Sequence, residues 1–128
     1  MVIYDSNIWI AYFNKRDSQH RKARELIGST ITKEKIAVTE YILTETCSIL
    51  LFNAGREIVS VFIEEVIRNK DIEIIYSDRA FFNQTLNLFQ NSKEIRLSFI
   101  DTSLLFWSRF HEVITFDAAL GKAIKKLK

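Results

Sequence analysis

The chain has 128 residues, of which 48% are hydrophobic and 27% charged, so it carries the material for one folded domain and excludes a disordered chain. Three glycines, no proline and a single cysteine, Cys47, exclude collagen-like and linker-rich architectures, a disulfide framework and a cysteine-based zinc site. The net charge of +2 is too near balance to name a partner, and no apolar run reaches the roughly 18 residues of a membrane span.

In chain order, MVIY is a short, apolar, β-rich segment that breaks at Asp5-Ser6-Asn7, which predicts a buried strand ending at Asp5. A short helix over Ile8–Phe13 follows, with Ser6 or Asn7 as its cap. Lys15–Gln19 is polar loop, and Ser18 is the candidate cap of a second helix that Gly28–Lys35 closes. Ile36–Val38 reads as the second strand. Thr39 caps a helix to about Phe52, Asn53-Ala54-Gly55 stops it, and Arg56–Asn69 makes the second arm of a helical hairpin. Ile49, Phe52, Phe62 and Ile63 are expected to pack inside that hairpin.

Ile72–Tyr76 is the third strand, and Ser77 or Asp78 caps a helix to about Asn91. Ser98 and Asp101 have capping-box spacing at the start of a helix over Phe99–Phe110. Glu112–Phe116 is the fourth strand, and Asp117 opens a last helix to about Lys126. Short apolar strands separated by helices predict an α/β sandwich on a mainly parallel sheet, in one domain over residues 1–128. The start, MVIYDSN, lacks the basic region and long apolar core of a signal peptide, so the cytoplasm is the expected location.

Four acids stand in unusual places. Asp5 and Asp117 end the first and fourth strands, and ligands of open parallel sheets bind beyond the carboxyl ends of strands. Glu45 shares a helical stripe with Ile42, Ile49 and Phe52, where an isolated charge is costly. Asp101 sits between SFI and TSLLFW. Four converging carboxylates repel and raise one another's pKa unless a cation neutralises them, which is the logic of an all-oxygen Mg²⁺ or Mn²⁺ site. Each acid also has a structural alternative: a turn cap for Asp5, an N-cap for Asp117, a capping box for Asp101 and a surface salt bridge for Glu45.

These residues carry a resemblance. VIYDSNIWIAYF, VTEYILTETCSIL, SFIDTSLLFW and VITFDAAL together resemble the PIN domain family, in particular the VapC-type toxin ribonucleases of type II toxin–antitoxin pairs. The resemblance covers essentially the whole chain. It matches Asp5, Glu45, Asp101 and Asp117 to the family's four acids, with Glu40 as a less well placed rival of Glu45. Ser6, Asn7 and Thr115 match supporting polar positions. The bulky Leu104, Leu105, Phe106 and Trp107 after the third acid, and AALGKAIKKLK after the fourth, depart from many relatives.

The resemblance implies a three-layer sandwich with a mainly parallel sheet of four or five strands flanked by helices. It also implies a metal-dependent endoribonuclease that holds one or two Mg²⁺ or Mn²⁺ ions on Asp5, Glu45, Asp101 and Asp117. Its partners would be an RNA substrate, a small antitoxin and a second copy of the chain. Lys15, Arg16, Arg21, Lys22, Arg24 and Arg109 are candidate phosphate contacts, with the terminal lysines as others. Trp9, Tyr12 and Phe13 are either base-stacking platforms or core. The rival classes are an inactive PIN-like module that binds RNA or protein, a receiver-like phosphoacceptor domain, and an α/β domain whose acids never meet.

Overall fold

The computed structural model describes residues 1–127. Its strands are the apolar segments β1 (Val2–Tyr4), β2 (Ile36–Thr39), β3 (Ile72–Ile75) and β4 (Glu112–Ile114). The helices are α1 (Ser6–Phe13), α2 (His20–Ile31), α3 (Glu40–Ala54), α4 (Arg56–Arg68), α5 (Arg79–Asn91), α6 (Phe99–Trp107) and α7 (Ala118–Leu127). All strand pairs are parallel, in the order β3-β2-β1-β4. The sheet of the described residues therefore has four strands.

The connections explain the layers. Two successive crossovers step from β1 to β2 to β3, and the third leaps back past both to place β4 at the other edge. Right-handed crossovers then put α1–α4 on one face and α5–α6 on the other. The packing agrees: α1 contacts α2 and α3, α3 contacts α4, and α6 contacts α5, α7 and β4. This is a helix–sheet–helix sandwich around a parallel sheet.

Burial on both faces accounts for the near-continuous apolar strands. Val2, Ile3, Tyr4, Ile36, Ala37 and Val38 are all buried, each large aliphatic side chain contributing roughly 1.5–3 kcal/mol. Trp9, only 1% exposed, packs against Tyr4 and Phe62 at centroid distances of 6.1 and 5.9 Å. Trp9 is thus core, and of the candidate stacking platforms only Tyr12 and Phe13 reach the surface in part.

Three local expectations change. The cap of α1 is Asp5, which accepts from the Ser6 amide, rather than Ser6 or Asn7. The residue before α2 is Gln19, with no side-chain cap, rather than Ser18, and the helix runs through Gly28 because nothing there demands a turn. In the hairpin, Phe62 is buried, but Phe52 is 92% exposed and Ile49 is also exposed. The inward face of α3 carries Ile42, Thr46 and Leu50, so the stripe through Glu45, Ile49 and Phe52 flanks the core. Apolar residues lie on several sides of α3, which leaves periodicity unable to choose between the two stripes. Gly55 joins α3 to α4 with φ 95° and ψ 170°, a conformation open essentially to glycine alone.

Candidate active site

The leap from β3 to β4 creates a switch in strand order between β1 and β4, where open parallel sheets form a crevice beyond their carboxyl ends. Asp5 lies there, on the residue after β1, with its amide donating to the Ile114 carbonyl of β4 at 3.0 Å. Buried to 4% exposure, its carboxylate is held from both strands. Oδ1 accepts from the Ser6 amide at 2.7 Å, and Oδ2 accepts from the Thr115 hydroxyl at 2.7 Å and the Asn7 amide at 3.3 Å.

Glu45 reaches the same place from α3. Its Oε1 accepts from the Ser6 hydroxyl at 2.5 Å, and that hydroxyl stands 3.4 Å from Asp5 Oδ1. Ser6 thus bridges two carboxylates. Thr115 is a second bridge: its Oγ1 donates to Asp5 while accepting from Asn7 Nδ2 at 3.1 Å and from the Asp117 amide at 3.0 Å. Asn7 completes the lattice by accepting from the Phe116 amide at 3.2 Å. Ser6, Asn7 and Thr115 are therefore the hydrogen-bonded scaffold of Asp5.

Asp101 and Asp117 are each engaged in a cap. Asp101 Oδ2 accepts from the Ser98 amide at 3.0 Å, closing the capping box of α6. Asp117, exposed, accepts from the Leu120 amide at 2.9 Å at the start of α7. Glu40, the rival of Glu45, bonds the Ser77 amide at 2.7 Å and the Ser77 hydroxyl, fastening the end of β3 instead. Glu45 forms no salt bridge among the described residues.

The electrostatics single out Asp5. Burial pushes its pKa up, the Thr115 and Ser6 hydrogen bonds pull it down, and the charges of Asp101 and Glu45 raise it again. Among the described residues no Lys, Arg or His lies within ion-pair distance of Asp5, Glu45, Asp101 or Asp117. Glu45 Oε2, Asp101 Oδ1 and Asp117 Oδ2 accept no hydrogen bond there either. Hard oxygen donors, uncompensated negative charge and spare lone pairs fit a cation such as Mg²⁺ in donor type. As placed, no three His, Cys, Asp or Glu side chains among the described residues converge closely enough to cage an ion.

The candidate phosphate contacts divide. All six are exposed. Lys22 stands 5.1 Å from the centre of the Phe116 ring, beside the Asp5 scaffold. Lys15 and Arg16 line a separate cleft with Asn53 and Ile58, Arg21 and Arg24 line another with His20, and Arg109 lies over Phe106. Lys93 and Arg96, outside the predicted set, line a third cleft with Lys122 at α7. Their loop has no hydrophobic period, and two charges in a polar loop give no signal in sequence.

No helix among the described residues is long and apolar enough to cross a membrane. The family model of the PIN domain matches residues 2–126. By structure, the chain is similar to VapC20 from Mycobacterium tuberculosis, a Sarcin-Ricin loop cleaving toxin, at a TM-score of 0.83. That match has 20% identity and covers 96% of this chain and 95% of the other. No curated protein matches the chain by sequence.

Proposed function

The chain belongs to the PIN domain family, and on that footing we propose that it is a metal-dependent endoribonuclease, the toxin of a type II toxin–antitoxin pair acting in the cytoplasm. The observation that carries the reading is the buried Asp5, tied to Glu45 through Ser6 and to the end of β4 through Thr115, with no Lys, Arg or His among the described residues within ion-pair distance of either acid. Carboxylates placed so at the switch point of a parallel sheet cost stability and gain their meaning from a ligand.

Asp5 and Asp101 would hold Mg²⁺ or Mn²⁺, with Asp117 and Glu45 completing the set directly or through water. When bound, such an ion supplies an acidified water and stabilises charge growing at phosphorus. The rest of the work falls to the chain. Ser6 and Thr115 keep the two oxygens of Asp5 pointed, Asn7 keeps Thr115 pointed, and Glu45 orients the attacking water and takes its proton. None of these groups reads a base, so target choice rests on the surrounding surface. Exposed Leu51, Phe52 and Val61 on the helical hairpin supply an apolar face for an antitoxin segment. The active form is a homodimer.

The engagement of Asp101 and Asp117 in caps favours one second reading, a PIN module that binds RNA without cutting it. Incubating a mixed RNA pool with purified protein separates the two. Cutting with Mg²⁺ or Mn²⁺ that stops with chelator and in Asp5→Asn supports the nuclease; binding with no cutting under either metal supports the module.

A further inference from the structure

We propose that the cleft between the loop before α6 and the first turns of α7 binds the phosphate backbone of RNA, as the subsite next to the acids; this rests on the RNA-directed reading above. The cleft has a volume of about 290 Å³ and is lined by Lys93, Arg96, Lys122 and Lys126 against one acid, Glu94. Glu94 pairs loosely with Lys126 at 3.7 Å, and Lys93, Arg96 and Lys122 have no carboxylate partner among the described residues. Three unpaired cations facing one concavity repel each other and favour a polyanion.

Position makes that polyanion RNA. Both walls run directly into candidate acids. One wall is the loop whose next turn is the Ser98–Asp101 capping box, and the other begins at Ala118, the residue after Asp117. From the α7 wall a short chain of bonds leads inward: Leu120 to Asp117, Asp117 to Thr115, and Thr115 to Asp5. The α6 amino end and the α7 amino end both lie at the carboxyl ends of the strands, on the crevice side of the sheet. Lys122 and Lys126 are one helical turn apart and share a face. Ile95, 97% exposed at the rim, offers an apolar contact for an unpaired base. A strand with one phosphate at the acids thus passes its neighbouring phosphates along this cleft.

The test is fluorescence anisotropy of a labelled, mixed-sequence single-stranded RNA across a salt series, with chelator present to prevent cutting. The cleft variant combines K93Q, R96Q and K122Q. The control combines K33Q, K35Q and K70Q, which removes the same charge from loops leading into β2 and β3 at the opposite end of the sheet. All six positions are exposed, so both variants fold. At a slope of about −0.7 per phosphate contact, the cleft variant should flatten the dependence of log affinity on log salt by about 2. The control should leave that slope unchanged.

A cleft variant no different from the control overturns the inference, as does wild-type protein that fails to bind RNA. Binding of poly-glutamate in preference to RNA also overturns it, in favour of an acidic protein segment. Cutting with metal is scored separately. Wild-type protein that cuts while the cleft variant keeps its slope refutes the subsite and leaves the nuclease. Binding through the cleft with no cutting under any metal retains the subsite and refutes the nuclease.

Discussion

Removing the Thr115 hydroxyl should weaken the fold more at neutral pH than in acid. Thr115→Val keeps shape and volume, so no cavity term enters. It deletes the 2.7 Å bond to Asp5 Oδ2, a bond to a charged group worth about 1.5–3 kcal/mol. The other partners lose less: Asn7 Nδ2 retains Asp5 Oδ2 at 3.3 Å, and the amide of the exposed Asp117 can turn to water. The expected loss at pH 7 is about 2 kcal/mol, or about 1 M in the urea midpoint.

The sign with pH follows from linkage. The folded pKa of Asp5 already lies above the ordinary carboxylate value. Ionised Asp5 therefore weakens the folded state, and stability from this group rises as pH falls from the folded pKa towards the unfolded one. Losing Thr115 raises the folded pKa further, each unit costing about 1.4 kcal/mol above that pKa. The gap between wild type and variant is thus full above the variant's folded pKa and narrows as pH falls below it. Urea melts at several pH values measure it. An equal gap at every pH, or none at pH 7, refutes the proposed Thr115–Asp5 coupling.

Other consequences are as specific. Ser6→Ala removes the proton shared towards Glu45 and Asp5 and should lower RNA cleavage by about 10–100-fold, the usual cost of a group that orients a ligand, with its thermal midpoint recorded alongside. Gly55→Ala forces a side chain into φ 95° and should cost about 1–3 kcal/mol in a urea melt. Phe62→Ala should cost about 3–5 kcal/mol, whereas Phe52→Ser, on the same hairpin but 92% exposed, should stay within about 0.5 kcal/mol. The same Phe52 change should weaken binding of a cognate antitoxin.

Much of the architecture is legible in the sequence because two simple signals agree. Apolar runs too short for helices mark the four strands, and Thr39, Asp78, Ser98 and Asp117 mark helix starts where caps are found. The α3 face is not legible, since apolar residues surround that helix and only tertiary packing selects Ile42, Thr46 and Leu50. The acids show the same division. That the Ser6 hydroxyl reaches Glu45, 39 residues on in sequence, while standing beside Asp5 follows from strand order and from no spacing rule. The cap alternatives hold for Asp101 and Asp117 at once, and a cap leaves one carboxylate oxygen of each uncommitted. The cleft of Lys93 and Arg96 needed the fold, because its two walls meet only when the last crossover returns to β1.

The most direct test of a cation site on these carboxylates is calorimetric titration of Mn²⁺ into wild-type protein, Asp5→Asn and Asp101→Asn. Mn²⁺ should bind wild type, fail to bind Asp5→Asn and bind Asp101→Asn at least about tenfold more weakly. Binding of equal strength to all three proteins, or none to wild type, would contradict such a site.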